Sequence, residues 1–203
     1  MAHQDLFVDG VRYPSVTEIL GDAPKPWLDK WRDKWGVLAD RKMHAAAGIG
    51  TEFHMYAELA ATHCLPVHDV VVSSRIYTMV GNFVDWVQTS GFKAKETELH
   101  VVSKAHKYQG TFDATGYLAD RPKVLCLFDW KTSSGIYPDM QLQLAAYAQA
   151  YKEQTGITIR RGLIVHVSKD KPTHKLTVKE YALTKGLLNK FLKRLQEYNE
   201  VRA

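Results

Sequence analysis

The chain predicts an α/β fold, a central mixed β-sheet flanked by helices, and three observations point there. Helix-patterned segments come first, followed by strands, a helix, further strands and a closing helix, an order that suits helical layers around one sheet. Val124-Leu125-Cys126-Leu127-Phe128 and Gly162-Leu163-Ile164-Val165-His166-Val167 are apolar runs of strand length, as expected of buried strands. The composition is that of a globular protein, 45% hydrophobic and 24% charged, with no repeat or low-complexity tract. No linker divides the 203 residues, so 1–203 is expected to form a single domain, with 1–50 as an N-terminal helical extension.

Taken in order, Leu6-Phe7-Val8-Asp9-Gly10-Val11-Arg12-Tyr13 predicts a small hairpin turning at Asp9-Gly10. Ser15 followed by Glu18 matches a capping box, which opens a short helix that Pro24 and Pro26 bring to an end. Trp27, Trp31 and Trp35 form one stripe of an amphipathic helix and are expected to pack in the core. After Gly48 and Gly50, Thr51 is expected to cap a fresh helix through Leu59. Residues 73–88 predict another helix, with Ile76, Val80, Phe83, Val84 and Val87 on its apolar face. A strand over 96–103 precedes a hairpin, and Tyr137-Pro138-Asp139 begins a long helix. The run from Gly162 predicts a buried strand, 176–181 an edge strand, and a last amphipathic helix starts at Thr184.

The balance of 27 basic and 22 acidic residues gives +5 and a pI near 9.1, a modest lean towards a polyanionic partner. Cys64 and Cys126 are too few for a four-cysteine iron–sulfur cluster or a closed thiolate zinc site, and both suit small apolar positions in a reducing compartment. The start lacks the pattern of a signal peptide, and no stretch approaches the ~18 apolar residues of a membrane span. A soluble intracellular protein is the expectation.

The chemistry concentrates around Asp129-Trp130-Lys131, at the end of the apolar run. Upstream lies Gly110-Thr111-Phe112-Asp113, and between them Ala119-Asp120-Arg121-Pro122-Lys123 predicts a turn. A hairpin centred on Arg121 sets Asp113 opposite Asp129, with Cβ atoms roughly 4.5–5.5 Å apart if they share a face. A slip of one residue would move Asp113 to the other face. Two carboxylates so close repel unless a cation lies between them. Lys131 shares a face with Asp129, and an acid pair beside a lysine suits a divalent metal held next to a phosphate.

With Gly50-Thr51-Glu52-Phe53-His54, Gly110-Thr111-Phe112-Asp113, Asp129-Trp130-Lys131 and Gln143-Leu144-Ala145-Ala146-Tyr147 in that order, the chain resembles the PD-(D/E)XK nuclease superfamily, and within it the RecB-type exonucleases. Pro14-Ser15-Val16-Thr17-Glu18-Ile19-Leu20 is similar to the opening of phage-type exonucleases and of the mitochondrial genome maintenance exonuclease. The likeness spans residues 14 to 147 and implies a restriction-endonuclease-like core. It implies that Asp113, Asp129, His54 and the Trp130 backbone carbonyl ligate Mg²⁺ or Mn²⁺, one or two ions, and that Lys131 orients the attacking water and stabilises the transition state. Glu98 would stand beside the metal with Glu96 as its competitor, and Gln143 and Tyr147 would face the site from their helix. Lys104 and Lys107, in a loop before the Asp113 strand, are placed to touch phosphates. Ser15, Thr17, Thr132 and Ser133, next to the matched motifs, complete the expected DNA contacts.

The resemblance thus implies a metal-dependent exonuclease acting on single-stranded or duplex DNA ends, in recombination, repair or phage DNA processing. Its expected setting is the cytoplasm of a bacterial or phage-infected cell, with a recombination protein as a candidate partner and the oligomeric state open. Residues 1–50 would contribute to the DNA channel. An endonuclease on the same fold and a non-catalytic nucleic-acid-binding protein are the alternatives.

Overall fold

The computed structural model describes residues 6–63, 76–170 and 176–202. Strands β1 (Leu6–Val8) and β2 (Val11–Tyr13) form the predicted hairpin, and both turn residues have positive φ, Asp9 at 50° and Gly10 at 76°. That is the geometry a two-residue turn needs to follow the strand twist. Helix α1 (Val16–Asp22) opens with the expected capping box: Glu18 N–H donates to Ser15 Oγ at 3.1 Å, and Ser15 N–H donates to Glu18 Oε2 at 3.4 Å. Two of the orphan donors at the helix start are thereby satisfied.

Two sequence expectations change in the next segment. Helix α2 (Pro26–Trp35) forms, but Trp31 and Trp35 are only partly buried and belong to neither core cluster. Helix α2 packs on the start of α3 (Ala39–His63) rather than on the sheet. Trp31 and Trp35 meet each other, with ring centroids 6.5 Å apart, and Lys42 lies 3.8 Å from the Trp35 ring centre. Thr51 is not a cap either, because α3 runs unbroken through Gly48, Gly50 and Thr51. A glycine inside a helix costs about 1 kcal/mol, which the alanine-rich flanks and the packing of Phe53, Ala57, Ala60 and Ala61 offset. Helix α4 (Tyr77–Ser90) buries the predicted apolar face; the expected start at 73–75 and Cys64 lie outside the described residues.

The remaining elements are β3 (Lys93–Ser103), β4 (Tyr108–Leu118), β5 (Arg121–Lys131), α5 (Pro138–Thr155), β6 (Arg161–His166), β7 (Thr177–Ala182) and α6 (Lys185–Glu200). Strands β3 to β7 make one mixed sheet in that order: β5 and β6 are parallel, and the other neighbours are antiparallel. Helix α5 is the crossover that a parallel pair requires. The β4–β5 turn is tighter than expected, with Ala119 and Asp120 alone between the paired Leu118 and Arg121. Pro122, which cannot donate to a ladder, falls where the register then shifts, and beyond the shift Ala114 opposes Phe128. That is the register the sequence predicted for Asp113 and Asp129, restored by an irregularity the sequence did not reveal.

Apolar side chains fill both sides of the sheet. One layer joins α1, α5 and α6 to Val101, Phe112, Leu127 and Ile164; the other joins α3 and α4 to Ala114, Phe128, Trp130 and Val165. Trp130 is 1% exposed and lies 5.0–5.9 Å, centroid to centroid, from Phe83, Trp86, Phe92 and Phe128. Its burial contributes roughly 4–6 kcal/mol as an upper bound and locks the strand that carries Asp129 and Lys131. No described helix is long and apolar enough to cross a membrane.

Gly110 shows how closely α5 approaches the sheet, since a Cβ there would sit 2.5 Å from Tyr147 Cε1. Gly110→Ala forces that ring out of its buried position and should destabilise the protein by about 1–3 kcal/mol. Urea unfolding checks this: the midpoint falls, and a Tyr147→Leu background relieves most of the loss.

Candidate metal centre

The site forms where strand alternation breaks. Thr97 pairs with Ala114 and Leu99 with Phe112, but the ladder skips Glu98 and Asp113 between them. Glu98 has φ of 47°, a left-handed conformation that costs a non-glycine residue about 1–2 kcal/mol. The two sides of the sheet exchange there: Phe112 and Leu99 join the α5 layer, whereas Ala114 joins the α3 layer and Thr97 donates a hydrogen bond to Glu58 of α3 at 3.3 Å. Strain of this kind persists only where the surroundings enforce it.

On the other side of β4, pairing with β5 is recorded as far as Ala114 and Phe128, and β5 continues along β6 to Lys131. The Asp113 carboxylate takes over where the ladder ends, and Trp130 N–H donates to its Oδ2 at 2.6 Å. Its Oδ1 lies 2.9 Å from His54 Nδ1. An ionised carboxylate only accepts, so Nδ1 carries the hydrogen in this pair. His54, Glu98 and Asp113 each offer a ligand atom within 4.8 Å of the others. They line a cleft of about 480 Å³ together with Gly50, Thr51 and Glu58 of α3. Asp129 stands outside that group of three. Its buried Oδ2 makes no hydrogen bond of good geometry, and Lys131 Nζ approaches it to 2.5 Å as an ion pair.

The electrostatics are those of a crowded acid cluster. Burial, then the charges of Asp113 and Glu58, push the Glu98 carboxyl up to about 7. Burial also raises Asp129, against the pull of Lys131 and with the help of Asp113, to about 6. Burial opposes ionisation of Asp113 as well, but His54, Lys131 and the Trp130 N–H outweigh it and hold the carboxyl below its ordinary range. His54 shows the same balance from the basic side: burial disfavours its charge, and Asp113 beside it outweighs that and raises the pKa above the ordinary value. The donor set suits a hard divalent cation, since two carboxylates and an imidazole converge and their mutual repulsion falls when a cation binds.

The other expected site residues divide clearly. Gln143 and Tyr147 are buried one helical turn apart, and Gln143 Nε2–H donates to Tyr147 Oη at 2.9 Å. The charge of Asp129 adds to burial in raising the Tyr147 phenol, so that pair adjoins the acids. Thr132 is buried, and its Oγ1 lies 3.4 Å from where a Cβ on Gly50 would sit, which brings α3 close to the end of β5. Ser133 donates to Gly135 O at 2.7 Å and accepts at its own carbonyl from His166 Nε2–H, also at 2.7 Å. Ser15 is buried and spends its hydroxyl on the α1 cap, beside Thr17 Oγ1 at 3.1 Å. Lys104 and Lys107 lie in the β3–β4 turn; six residues of strand separate Lys107 from Asp113, about 20 Å. Glu96 accepts from Thr115 and Tyr151, each at 2.8 Å, so of the two glutamates left open it is Glu98 that adjoins Asp113 and His54. Glu58 was missed, although its i+4 spacing from His54 on a helix was the signal that would have found it.

No family model and no curated protein matches the chain. Among solved structures, the crystal structure of SSO0001 is similar over 96% of this chain and 79% of its own, at 13% identity and a TM-score of 0.50. That likeness shows a shared fold. A candidate exonuclease from Eubacterium rectale aligns over 77% of this chain and 65% of its own, at 12% identity and a TM-score of 0.47.

The raised Glu98 pKa has a sign that stability measurements can read. Between 4.5 and about 7 the folded protein keeps a proton on Glu98 that the unfolded chain has released, so this group lowers stability as pH rises through that window. In metal-free buffer, Glu98→Gln should therefore melt higher than the parent above that window and converge with it below. A melting-temperature series against pH checks the difference.

Proposed function

We propose that the protein is a metal-dependent nuclease of the PD-(D/E)XK type, and that its activity is exonucleolytic hydrolysis of DNA from free ends. The observation that carries this reading is the convergence of His54, Glu98 and Asp113 beside the Asp129–Lys131 ion pair. His54, Glu98 and Asp113 would hold the ion, with Asp129 and the Trp130 carbonyl next to it on β5. A bound Mg²⁺ or Mn²⁺ supplies positive charge to the scissile phosphate and lowers the pKa of water in its shell.

The side chains do the rest. Lys131, fixed by Asp129, orients the attacking water and offsets the charge that grows on the phosphate oxygens. Asp113, clamped by the Trp130 N–H, keeps its second oxygen towards His54 and the cleft. Glu98 and Glu58 give the cleft surplus negative charge, which disfavours a phosphate until a cation is bound. The partly exposed Trp31 and Trp35, with Lys42 over the Trp35 ring, lie on the helical extension that leads along α3 to Thr51 and His54. Aromatic rings beside cations suit a strand approaching the cleft, because bases stack and phosphates pair.

End-labelled linear DNA and closed circular DNA, each with Mg²⁺, Mn²⁺ or EDTA, test the proposal. Linear substrates should shorten only with metal, and the circle should survive. Asp129→Asn should be inactive while folded, and Lys131→Ala should lose about 10²–10³-fold in rate. Cutting of the circle would identify an endonuclease; binding without cleavage in either metal would leave a nucleic-acid-binding protein.

A further inference from the structure

A second cavity, about 710 Å³, lies between α5, the loop into β6, the end of β7 and the start of α6. Its floor is aliphatic: Ala145, Ala148, Ile159, Leu183, Leu188 and Leu192. Cations rim it, Lys152, Arg160, Arg161 and Lys185, and among the described residues no Asp or Glu lines it, in a chain with 22 acidic residues. Arg161 is paired, 3.2 Å from Glu180. Among the described residues Lys152, Arg160 and Lys185 have no ion-pair partner. The start of α6 opens on the same space, and its N-cap Thr184 takes the Leu187 N–H while the dipole end adds positive potential.

The cavity is separate from the metal centre. It opens at the Arg161 end of β6, whereas Lys131 pairs with His166 at the other end. Five residues of strand, about 17 Å, lie between them.

We propose that this cavity docks an acidic, aliphatic-tipped peptide segment of a partner protein. The carboxylates would meet Lys152, Arg160 and Lys185, and a leucine-like side chain would fill the aliphatic floor. Nucleic acid fits less well, because sequence-tolerant binding of strands uses aromatic platforms. Among the described residues the one ring that lines the cavity, His106, is stacked on Tyr108 at 6.3 Å and 17°. A free inorganic anion would leave the apolar floor uncovered. The inference stands on this cavity alone and does not require the nuclease reading.

Fluorescence anisotropy of a labelled peptide, a run of glutamates ending in a pair of leucines, tests it on the full chain. The peptide should bind, and Lys152→Glu with Lys185→Glu should weaken it by about tenfold or more. A peptide with serines replacing the leucines should also bind about tenfold or more weakly. Thermal melts verify that the double variant is folded, and its cleavage of naked linear DNA should equal the parent's. Lys152→Gln with Lys185→Gln, should the reversal unfold the protein, should weaken the peptide in the same direction. No binding to the parent, equal binding by the variants, or equal binding of the serine peptide would each overturn the proposal. Loss of single-stranded DNA affinity in the variant with peptide binding intact would assign the rim to nucleic acid and overturn it as well.

Discussion

Everything at the candidate centre depends on one hydrogen bond, from the backbone N–H of Trp130 to the Asp113 carboxylate. A buried N–H that leaves its ladder must find another partner or cost about 1–3 kcal/mol, and here a side chain from the neighbouring strand supplies it. That substitution lets β4 and β5 part without leaving Trp130 N–H unpaired. It also fixes one Asp113 oxygen and aims the other at His54. On β3 the left-handed backbone at Glu98 provides the matching break, so a gap opens across three strands at one level of the sheet. The aromatic packing around Trp130 holds the far side of β5 still while this happens.

The protein tolerates the resulting concentration of acids by internal compensation. Lys131 sits against Asp129, and His54 against Asp113, so each buried carboxylate faces a cationic or protonatable neighbour. Glu98 has no such partner among the groups that set its pKa most strongly: burial, Asp113 and Glu58 all disfavour its charge. A cation held by these residues would require a deprotonated Glu98 and a free ring nitrogen on His54, so its affinity would fall as the pH is lowered.

Much of this was legible in the chain. The capping box at Ser15 and Glu18, the Asp9-Gly10 turn and the Thr184 helix start depend on contacts within a few residues, and each formed as expected. The buried strands followed from their unbroken apolar runs, and the mixed sheet from the order of elements. Trp31 and Trp35 show where this kind of reading fails, while the Trp27 side chain lies outside the described residues. Periodicity identifies an apolar face but not what covers it, and α2 has only α3 and the turn beside it to pack against. Gly48 and Gly50 failed differently: as punctuation they suggested a break, but Gly50 lets α3 pass close to Thr132 within one continuous helix.

By itself, then, the sequence determined most of the local elements and the α/β class, and it singled out Asp113, Asp129 and Lys131, with His54 added by resemblance, as candidates for one site. It could not determine which glutamate joins them. Glu96 and Glu98 lie on one strand two residues apart, where simple alternation gives both the same face. The positive φ at Glu98 cancels that equivalence, and Glu96 is held by Thr115 and Tyr151. Nor could it reveal that Gly110 makes room for the Tyr147 ring, or that Glu58 enters the cleft from α3. These contacts join residues from 37 to 55 positions apart (110 to 147, 58 to 98 and to 113). Their geometry exists only once both faces of the sheet are packed, and so the tertiary structure decided them.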